Sequence, residues 1–415
     1  MKNIPIVYLF ILLLSGTACF NQAALEKQQN KVSQLQLKPD YQLYHYCNDS
    51  SILITQFDTK NLLYQRQSKS SSFQAAASLS INIFTGKTLI DSITTTLKDI
   101  DNNRTPKMII GKTKIKLPYS NQTYTINIKA KDLAKKGTHE TSLKTKKNTR
   151  DAIRNYYLIL DKKKQLPIHF SGCSQNDSLQ IYSSKIKGKL QLTFKAFDFP
   201  IAASPHAISK KTVYQPRLDS SVVLVKADSI WELKVPDFEG IIKVTPEDEQ
   251  YPPFYLPILP EGFPKSKTYD DMIANLRYIT TNSEFKALQD SANKRIAFEQ
   301  FWLSCVSNKD KAKTLIGRYY KRIELVNEYF TSYKAGWKTD MGIIYIIYGR
   351  PHQVYKSSQS VTWLYGDETN PMSLSFTFDK QNNPFSDKDY QLRRNPAYQS
   401  SWYTAVERWR DGRIY

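Results

Sequence analysis

The sequence has 415 residues and a formal charge of +21, from 59 Lys and Arg against 38 Asp and Glu. A chain of this length has room for two to three domains. The lysines are scattered through polar segments and the N-terminus predicts export, so we expect no nucleic-acid partner. An anionic lipid or glycan suits the positive field better, although a general preference for Lys at the surface explains the charge equally well.

The first 19 residues have the pattern of a lipoprotein signal peptide. Lys2 supplies a positive start, residues 4–14 are apolar, and small residues precede Cys19. The apolar run is too short to span a bilayer. Small residues directly before a Cys resemble a lipobox, which implies that Cys19 is acylated and anchors the chain to a membrane. The alternative is an ordinary cleaved signal peptide in which Cys19 has no role.

Residues 20–38 are rich in Gln, Lys and Asn and have little to bury. We predict that they form a tether between the lipid and the first domain. Residues 20–23 lack the acidic cluster that resembles a surface-export signal. We therefore expect the protein to be lipid-anchored to the outer membrane, on its periplasmic side.

Two blocks of short, alternating segments follow. Residues 51–57 and 77–84 have the period of two that a half-buried strand needs. Aromatic residues make up 13% of the chain, including 27 Tyr, and this composition also favours strands. We predict two β-sandwich-like all-β domains, over residues 39–160 and 161–245.

A proline-rich segment and then a helical region come next. Six prolines lie in residues 246–267. Because Pro fixes φ and has no amide hydrogen, we predict a semi-rigid linker without a central strand. At Thr268, a candidate N-cap, the pattern changes to the period of helices. The longest helical stripe is predicted to end at Gly336.

The most distinctive stretch is residues 336–351, which reads GWKTDMGIIYIIYGRP. Residues 343–348 are apolar or aromatic and lie between two Gly-containing turns, which predicts a buried strand. The preceding helices and the following alternating segments predict an α+β domain over residues 268–390, with helices packed on a small antiparallel sheet. In the tail, residues 391–415, the spacing of Trp402, Val406 and Trp409 predicts a short helix.

This stretch resembles the GWxTD-domain family of Bacteroidetes-type envelope lipoproteins. The positions that carry the motif are Gly336, Trp337, Thr339, Asp340, Gly349, Arg350 and Pro351. Met341 stands where many members have an Arg after the Asp. The resemblance implies an envelope location and an architecture, and it implies no assigned chemistry.

Two interpretations of the motif remain open. In a catalytic interpretation, Asp340 and His352 form an acid–base pair, with Thr339 or Arg350 orienting a substrate. In a structural interpretation, Trp337 fills the core, and Asp340 and Thr339 bind backbone amides in a tight turn. The five His and four Cys of the chain show no metal-ligand spacing. We therefore predict no catalytic residue, no metal and no cofactor.

A third interpretation is recognition by aromatic and cationic residues around the motif. The candidate binding residues are Tyr348, His352, Tyr355 and Trp363. We predict a non-catalytic binding or assembly subunit whose C-terminal domain docks an envelope protein. The alternative is an envelope hydrolase that acts on glycan or peptide through Asp340.

Overall fold

The computed structural model describes residues 39–413, apart from residues 67, 69–70, 102–106, 136–137, 149–151, 169–171, 208–217, 226–229, 307, 371, 384 and 387. The predicted signal peptide, Cys19 and the tether lie outside the described residues. Contacts divide the chain into two compact units. The first reaches Leu158 and includes Ser183–Lys185, and the second comprises Ile159–Tyr182 and the chain from Ile186 onward. No helix in the described ranges has the length and apolar character that a membrane span requires.

The strands are β1 (Asp40–Tyr44), β2 (Ser50–Asp58), β3 (Gln74–Thr85), β4 (Thr88–Ile100), β5 (Met108–Lys116), β6 (Ser120–Asp132), β7 (Thr138–Lys147), β8 (Leu158–Asp161), β9 (Cys173–Ser174), β10 (Ser178–Tyr182), β11 (Leu190–Ala196), β12 (Leu218–Leu224), β13 (Ile230–Lys234), β14 (Gly240–Pro246), β15 (Phe254–Leu259), β16 (Gln353–Lys356), β17 (Ser360–Tyr365), β18 (Leu374–Lys380) and β19 (Tyr390–Leu392). The α-helices are α1 (Tyr269–Asn275), α2 (Asn282–Asp290), α3 (Lys294–Cys305), α4 (Lys309–Phe330), α5 (Asp340–Tyr348) and α6 (Gln399–Arg410).

The first unit is built from two antiparallel sheets, with strand orders β1-β2-β5 and β4-β3-β6-β7. Alternate side chains point inward, so Leu79, Ile81 and Ile83 of β3 are fully buried. Ile81 and Ile83 share one apolar cluster with Leu53 of β2 and Ile115 of β5. The two sheets therefore bury a common core, and the period of two in the sequence correctly predicts β2 and β3.

The second unit begins with two further sheets, of orders β13-β10-β8 and β12-β11-β14-β15-β9. It continues with α1 to α5, the antiparallel sheet β16-β17-β18-β19 and finally α6. A mostly β N-terminal part followed by helices and a small sheet confirms the predicted fold class.

Strand β15 lies inside the segment predicted to be a linker, between β14 and β9 of the five-stranded sheet. The prediction that residues 246–267 contain no central strand is therefore wrong. The Pro257 carbonyl faces β9, because Cys173 Sγ lies 3.5 Å from it. The Pro257 nitrogen faces the same way, so its missing amide hydrogen removes no bond to β14.

The helices and the four-stranded sheet share one core. Helix α1 begins at the predicted N-cap: Thr268 Oγ1 accepts the Asp271 amide at 3.1 Å, in a capping box. The long helix α4 buries the predicted stripe, including Tyr319 and Val326. It ends at Phe330, before the Gly336 at which the sequence predicts its end.

Helix α5 occupies the stretch predicted to be a strand, so that prediction is wrong. Ile343, Ile344, Ile346 and Ile347 are each at most 3% exposed. Met341, Tyr345 and Tyr348, on the remaining side, are partly buried against the same core. A helix that is apolar all round is typical of a fully buried position. A short apolar run fits a strand and a buried helix equally well, and here tertiary packing overrides the β-branched composition.

Helix α6 closes the core from the C-terminal side. Trp402 and Trp409 are 5% and 0% exposed, and Trp409 Nε1 donates to the Ile347 carbonyl at 3.2 Å. Arg410 forms two hydrogen bonds with Glu284 of α2, at 2.7 and 2.9 Å. The last described helix is thus fastened both to α5 and to the start of α2.

The Glu284–Arg410 pair predicts a loss of stability in acid. The hydrogen bonds from Arg410 lower the pKa of Glu284 to about 2, from an ordinary value of 4.5. A carboxyl group with a lowered pKa stabilises the fold above pH 4.5, and this contribution is lost as the pH falls from 4.5 toward 2. Urea unfolding across this window should show a steeper loss for the wild type than for Glu284→Gln.

The matched control is Glu299→Gln, which removes an exposed ion pair with Arg295 on α3. We expect this variant to keep the wild-type dependence on pH. Superimposable curves for the wild type and Glu284→Gln would contradict the proposed role of the Glu284–Arg410 pair.

Candidate functional site

The motif residues form a tight turn that starts α5. Gly336–Lys338 is a single 3₁₀ turn, and Thr339 is the N-cap of the helix. The Thr339 hydroxyl accepts the Gly342 amide at 3.0 Å and donates to the Gly336 carbonyl at 2.7 Å. The threonine thus satisfies helix-end groups that would otherwise be buried without partners.

Gly336 is required by the close approach of this turn to α4. A Cβ atom at this position would lie 1.9 Å from the Val326 carbonyl oxygen, which is backbone and cannot move aside. The Gly336 amide donates to Thr331 Oγ1 at 3.0 Å. The motif glycine therefore allows the turn to pack directly on the end of the long helix.

Trp337 lies in the core, with 8% of its surface exposed. Its amide donates to Asn327 Oδ1 and its carbonyl accepts from the Tyr278 hydroxyl, both at 3.0 Å. Burial raises the pKa of Tyr278 well above its ordinary value, so the hydroxyl stays protonated as a donor. The structural interpretation of Trp337 as a core residue therefore agrees with its position.

Asp340 forms a buried ion pair with Arg394, a residue that follows β19. Arg394 Nη2 lies 2.5 Å from Asp340 Oδ1 and Nη1 lies 3.2 Å from Oδ2. The two side chains are only 10% and 8% exposed. The Leu392 amide also donates to Oδ2, at 2.8 Å. Arg394 further donates to the carbonyls of Ala203 and Ser204, so the pair joins α5, β19 and the chain after β11.

The C-terminal end of α5 is closed by a second arginine. Arg322 of α4 donates to the carbonyls of Ile346 and Ile347, at 3.0 and 3.3 Å. A cation at this end of a helix also complements the helix dipole. Gly349 then turns the chain with φ of 81°, a conformation that favours glycine, while its amide bonds to the Tyr345 carbonyl.

Two of the predicted binding residues lie inside the domain. Trp363 is 3% exposed and packs against Phe378 with ring centroids 4.9 Å apart. Tyr348 is half-buried against Phe376 and Trp402. The prediction that Trp363 contributes to a binding face is wrong, because inward positions of β17 point to the helices.

The other candidates lie at the surface. Arg350 and His352 are exposed on either side of the buried Pro351. Tyr355 is 45% exposed on β16, and its hydroxyl bonds to Glu368. These three side chains sit around the first strand of the four-stranded sheet.

The catalytic interpretation requires Asp340 and His352 to act on one substrate. Both oxygens of Asp340 are instead engaged by Arg394 and a backbone amide. The Nδ1 of His352 accepts the Gly366 amide at 2.9 Å, at an exposed turn. The geometry gives Asp340 a structural role, but through Arg394 and the distant Leu392 amide; the prediction that it binds amides of its own turn is wrong.

Sequence reasoning did not identify Arg394, Asn327 and Tyr278, which complete the motif network. Tyr278 and Arg394 lie 59 and 54 residues from the motif residues that they contact. Asn327 lies only 10 residues before Trp337, but nothing in the local pattern of α4 distinguishes it. In the sequence, Arg394 is a basic residue of the tail, and nothing distinguishes it from the adjacent Arg393. Cys47, Cys173 and Cys305 are free thiols.

Comparison with known families agrees with the motif geometry. The GWxTD domain family matches residues 240–411, from the first residue of β14 to the residue after α6. The chain contains a GWxTD domain over these residues. The matched region takes in β14 and β15 of the five-stranded sheet as well as the helices, whereas residues 268–390 were predicted for the domain.

No curated protein matches the chain. Among solved structures, a red sea bream transglutaminase aligns with 57% of this chain and 33% of its own, at 11% identity and a TM-score of 0.18. The chain thus spans about a third of that protein. A structure named pT26-6p aligns with 78% of this chain and 87% of its own, at 8% identity and a TM-score of 0.14. Neither similarity supports an inference about fold or function.

Replacing Asp340 should test the role of the buried pair. In Asp340→Asn, Arg394 keeps its charge but loses its counter-ion inside the domain. Breaking one partner of a buried ion pair costs about 3–5 kcal/mol, so the free energy of unfolding from urea denaturation should fall by this amount.

The control is Asp379→Asn, which breaks the neighbouring but exposed pair with Arg393. That pair is also held by two hydrogen bonds, but its side chains are 38% and 65% exposed. We expect a change of about 0.2–1 kcal/mol. A free energy of unfolding unaltered by Asp340→Asn would show that the pair does not hold the domain together.

Proposed function

We propose that this GWxTD-domain protein is a non-catalytic binding or assembly subunit. In this proposal, a lipid on Cys19 holds it to the outer membrane on the periplasmic side, and the GWxTD domain docks an envelope protein. The observation that supports it best is that the polar groups of the motif already have hydrogen-bond partners within the domain. The polar groups of Trp337, Thr339 and Asp340 bond to other parts of the domain, so they hold the fold.

The surface that fits a partner is the edge strand β16. It is the first strand in the order β16-β17-β18-β19, and all four of its residues are exposed. The edge of β16 that faces away from β17 pairs with no strand in the described ranges of the chain. An open edge accepts an extended segment through main-chain hydrogen bonds, and exposed side chains then add specificity. Val354 and Tyr355, each 45% exposed, are such side chains.

The charges at this edge indicate which segment would bind. Arg350 precedes β16 and Lys356 ends it, and both side chains are exposed. Glu368 also lies here, bonded to the Tyr355 hydroxyl, and an acidic extended segment would meet the two cations at the ends of the strand. We therefore propose that the partner is an envelope protein that contributes an acidic strand to this sheet.

The anchor is tested by Cys19→Ser. If Cys19 carries the lipid, the wild type should incorporate a labelled fatty acid and sediment with outer membranes, and the variant should do neither. The substitution changes none of the described residues, so we expect the variant to fold. Equal labelling and equal membrane association of the two proteins would contradict the anchor.

The docking edge is tested by photo-crosslinking in intact cells. A photoreactive residue at position 354 should crosslink to one envelope protein, and peptide mapping should place the crosslink in an acidic segment. The double variant Arg350→Glu with Lys356→Glu should abolish the product, because it reverses the charges at both ends of β16.

The control position for the crosslinker is 372, since Met372 is 84% exposed and lies outside β16. The control for the charge change is Lys380→Glu, an exposed residue at the end of β18. The same product from both positions, no product at position 354, or a product insensitive to the double variant would contradict the proposal.

A further inference from the structure

The motif turn also forms one wall of a cavity. The cavity has a volume of about 410 Å³, and it lies among the chain after β11, the turn after β15, helices α1 and α2, and the motif residues Trp337 and Lys338. Pockets for small molecules have volumes of roughly 300–1,000 Å³. This cavity therefore has room for a ligand of a few rings, and it lies away from β16.

Aromatic rings supply much of the cavity wall. Phe199, Phe263, Phe285 and Trp337 all line it. Flat apolar surface of this kind suits a ligand that presents C–H groups from one face. The rim adds polar groups, including Gln289 of α2 and Ser266 of the turn.

Five charged residues line the cavity, and two of them, Lys338 and Glu239, pair with each other. Lys338 Nζ lies 2.6 Å from Glu239 Oε2 and 5.5 Å from the centre of the Trp337 ring. The Asp271 carboxylate accepts from the Thr268 hydroxyl at 2.7 Å, as part of the cap of α1. The lining carboxylates, including the exposed Asp270, disfavour an anion, and the cations Lys265 and Lys338 beside them disfavour a cation. A neutral ligand fits best.

One buried acceptor in the wall has no donor. Asn275 is 1% exposed, and its Nδ2 donates to Ser266 Oγ and to the Asp271 carbonyl, each at 2.7 Å. These bonds fix the orientation of the amide, and its Oδ1 accepts no hydrogen bond from the described residues. Buried acceptors in folded proteins normally have a donor. This oxygen is closed off from solvent in the structure, so a ligand hydroxyl would supply the donor after a small shift of the Asn275 side chain.

We propose that this cavity binds a neutral saccharide unit. A sugar ring combines an apolar face for the aromatic wall with hydroxyl groups for Asn275, Gln289 and Ser266. It carries no charge to disturb the Lys338–Glu239 pair. The protein would then bind a glycan through the cavity and a protein partner through β16, at two separate sites.

The test is a titration of the full chain in a detergent without a sugar headgroup, because a glycosidic detergent would compete. The probes are cellobiose, maltose and N,N′-diacetylchitobiose, with glucuronate as the anionic probe and choline as the cationic probe. Tryptophan fluorescence reports on the six Trp of the chain, of which Trp337 lines the cavity, and saturation-transfer NMR reports on the ligand. At least one of the disaccharides should bind at concentrations up to about 10 mM.

Two variants locate the binding. Gln289→Ala should weaken the affinity roughly five- to tenfold, the loss expected for one hydrogen bond, and Phe285→Ala should weaken it further. Lys286→Ala is the matched control, because this residue is exposed on the same helix but does not line the cavity. Gln289 is itself exposed, so its variant keeps the test valid if Phe285→Ala fails to fold.

Binding of a disaccharide that Gln289→Ala weakens and Lys286→Ala leaves unchanged would support the proposal. No disaccharide binding at about 10 mM, equal affinity in Gln289→Ala and the wild type, or tighter binding of choline or glucuronate would overturn it. The charge variant of β16 should bind the disaccharide as the wild type does. Failure of the docking proposal and failure of the saccharide proposal are therefore distinguishable.

Discussion

The buried pair between Asp340 and Arg394 is the interaction on which the C-terminal half of the second unit depends. Two charges taken from water are costly, and they are tolerated only where geometry and further hydrogen bonds compensate. Here the carboxylate receives a two-bond contact from the guanidinium and a backbone amide. The guanidinium also holds the carbonyls of Ala203 and Ser204. One pair thus connects a helix start, a strand end and a segment that belongs to the preceding β region.

The roles of the other motif residues follow from their positions around this pair. Gly336 lets the turn reach α4, Thr339 caps α5, and Trp337 fills the space beneath them. Each residue type suits its position: Gly336 has no Cβ, Thr339 has a short side-chain hydroxyl, and Trp337 has a large ring. Met341 stands beside Asp340 where the family resemblance implies an Arg, and Arg394 supplies the guanidinium from elsewhere in the chain. A motif of this kind specifies packing, and the surfaces available for recognition lie next to it.

Local patterns predicted much of the fold. The alternation in residues 51–57 and 77–84 gave β2 and β3, and the spacing of Trp402, Val406 and Trp409 indicated the helix that forms α6. Residues 343–348 misled because β-branched residues favour strands, whereas the core requires a helix that is apolar on every side. Pro257 led to a wrong prediction, because whether a proline fits in a strand depends on which neighbouring strand its nitrogen faces. Arg394 could not be predicted as the partner of Asp340, because the spacing between the two residues is set by tertiary structure and follows no local period.

The position of these stabilising residues along the chain has a consequence for folding during synthesis. Arg394, Trp409 and Arg410 all follow the elements that they secure: the motif turn, α5 and α2. A chain that is synthesised from its N-terminus therefore has an incomplete apolar core until these residues appear. During that interval the exposed isoleucines of α5 are targets for chaperones and proteases. Loss of Trp409 and Arg410 would remove the contacts that join α6 to α5 and α2 and would leave this core incomplete.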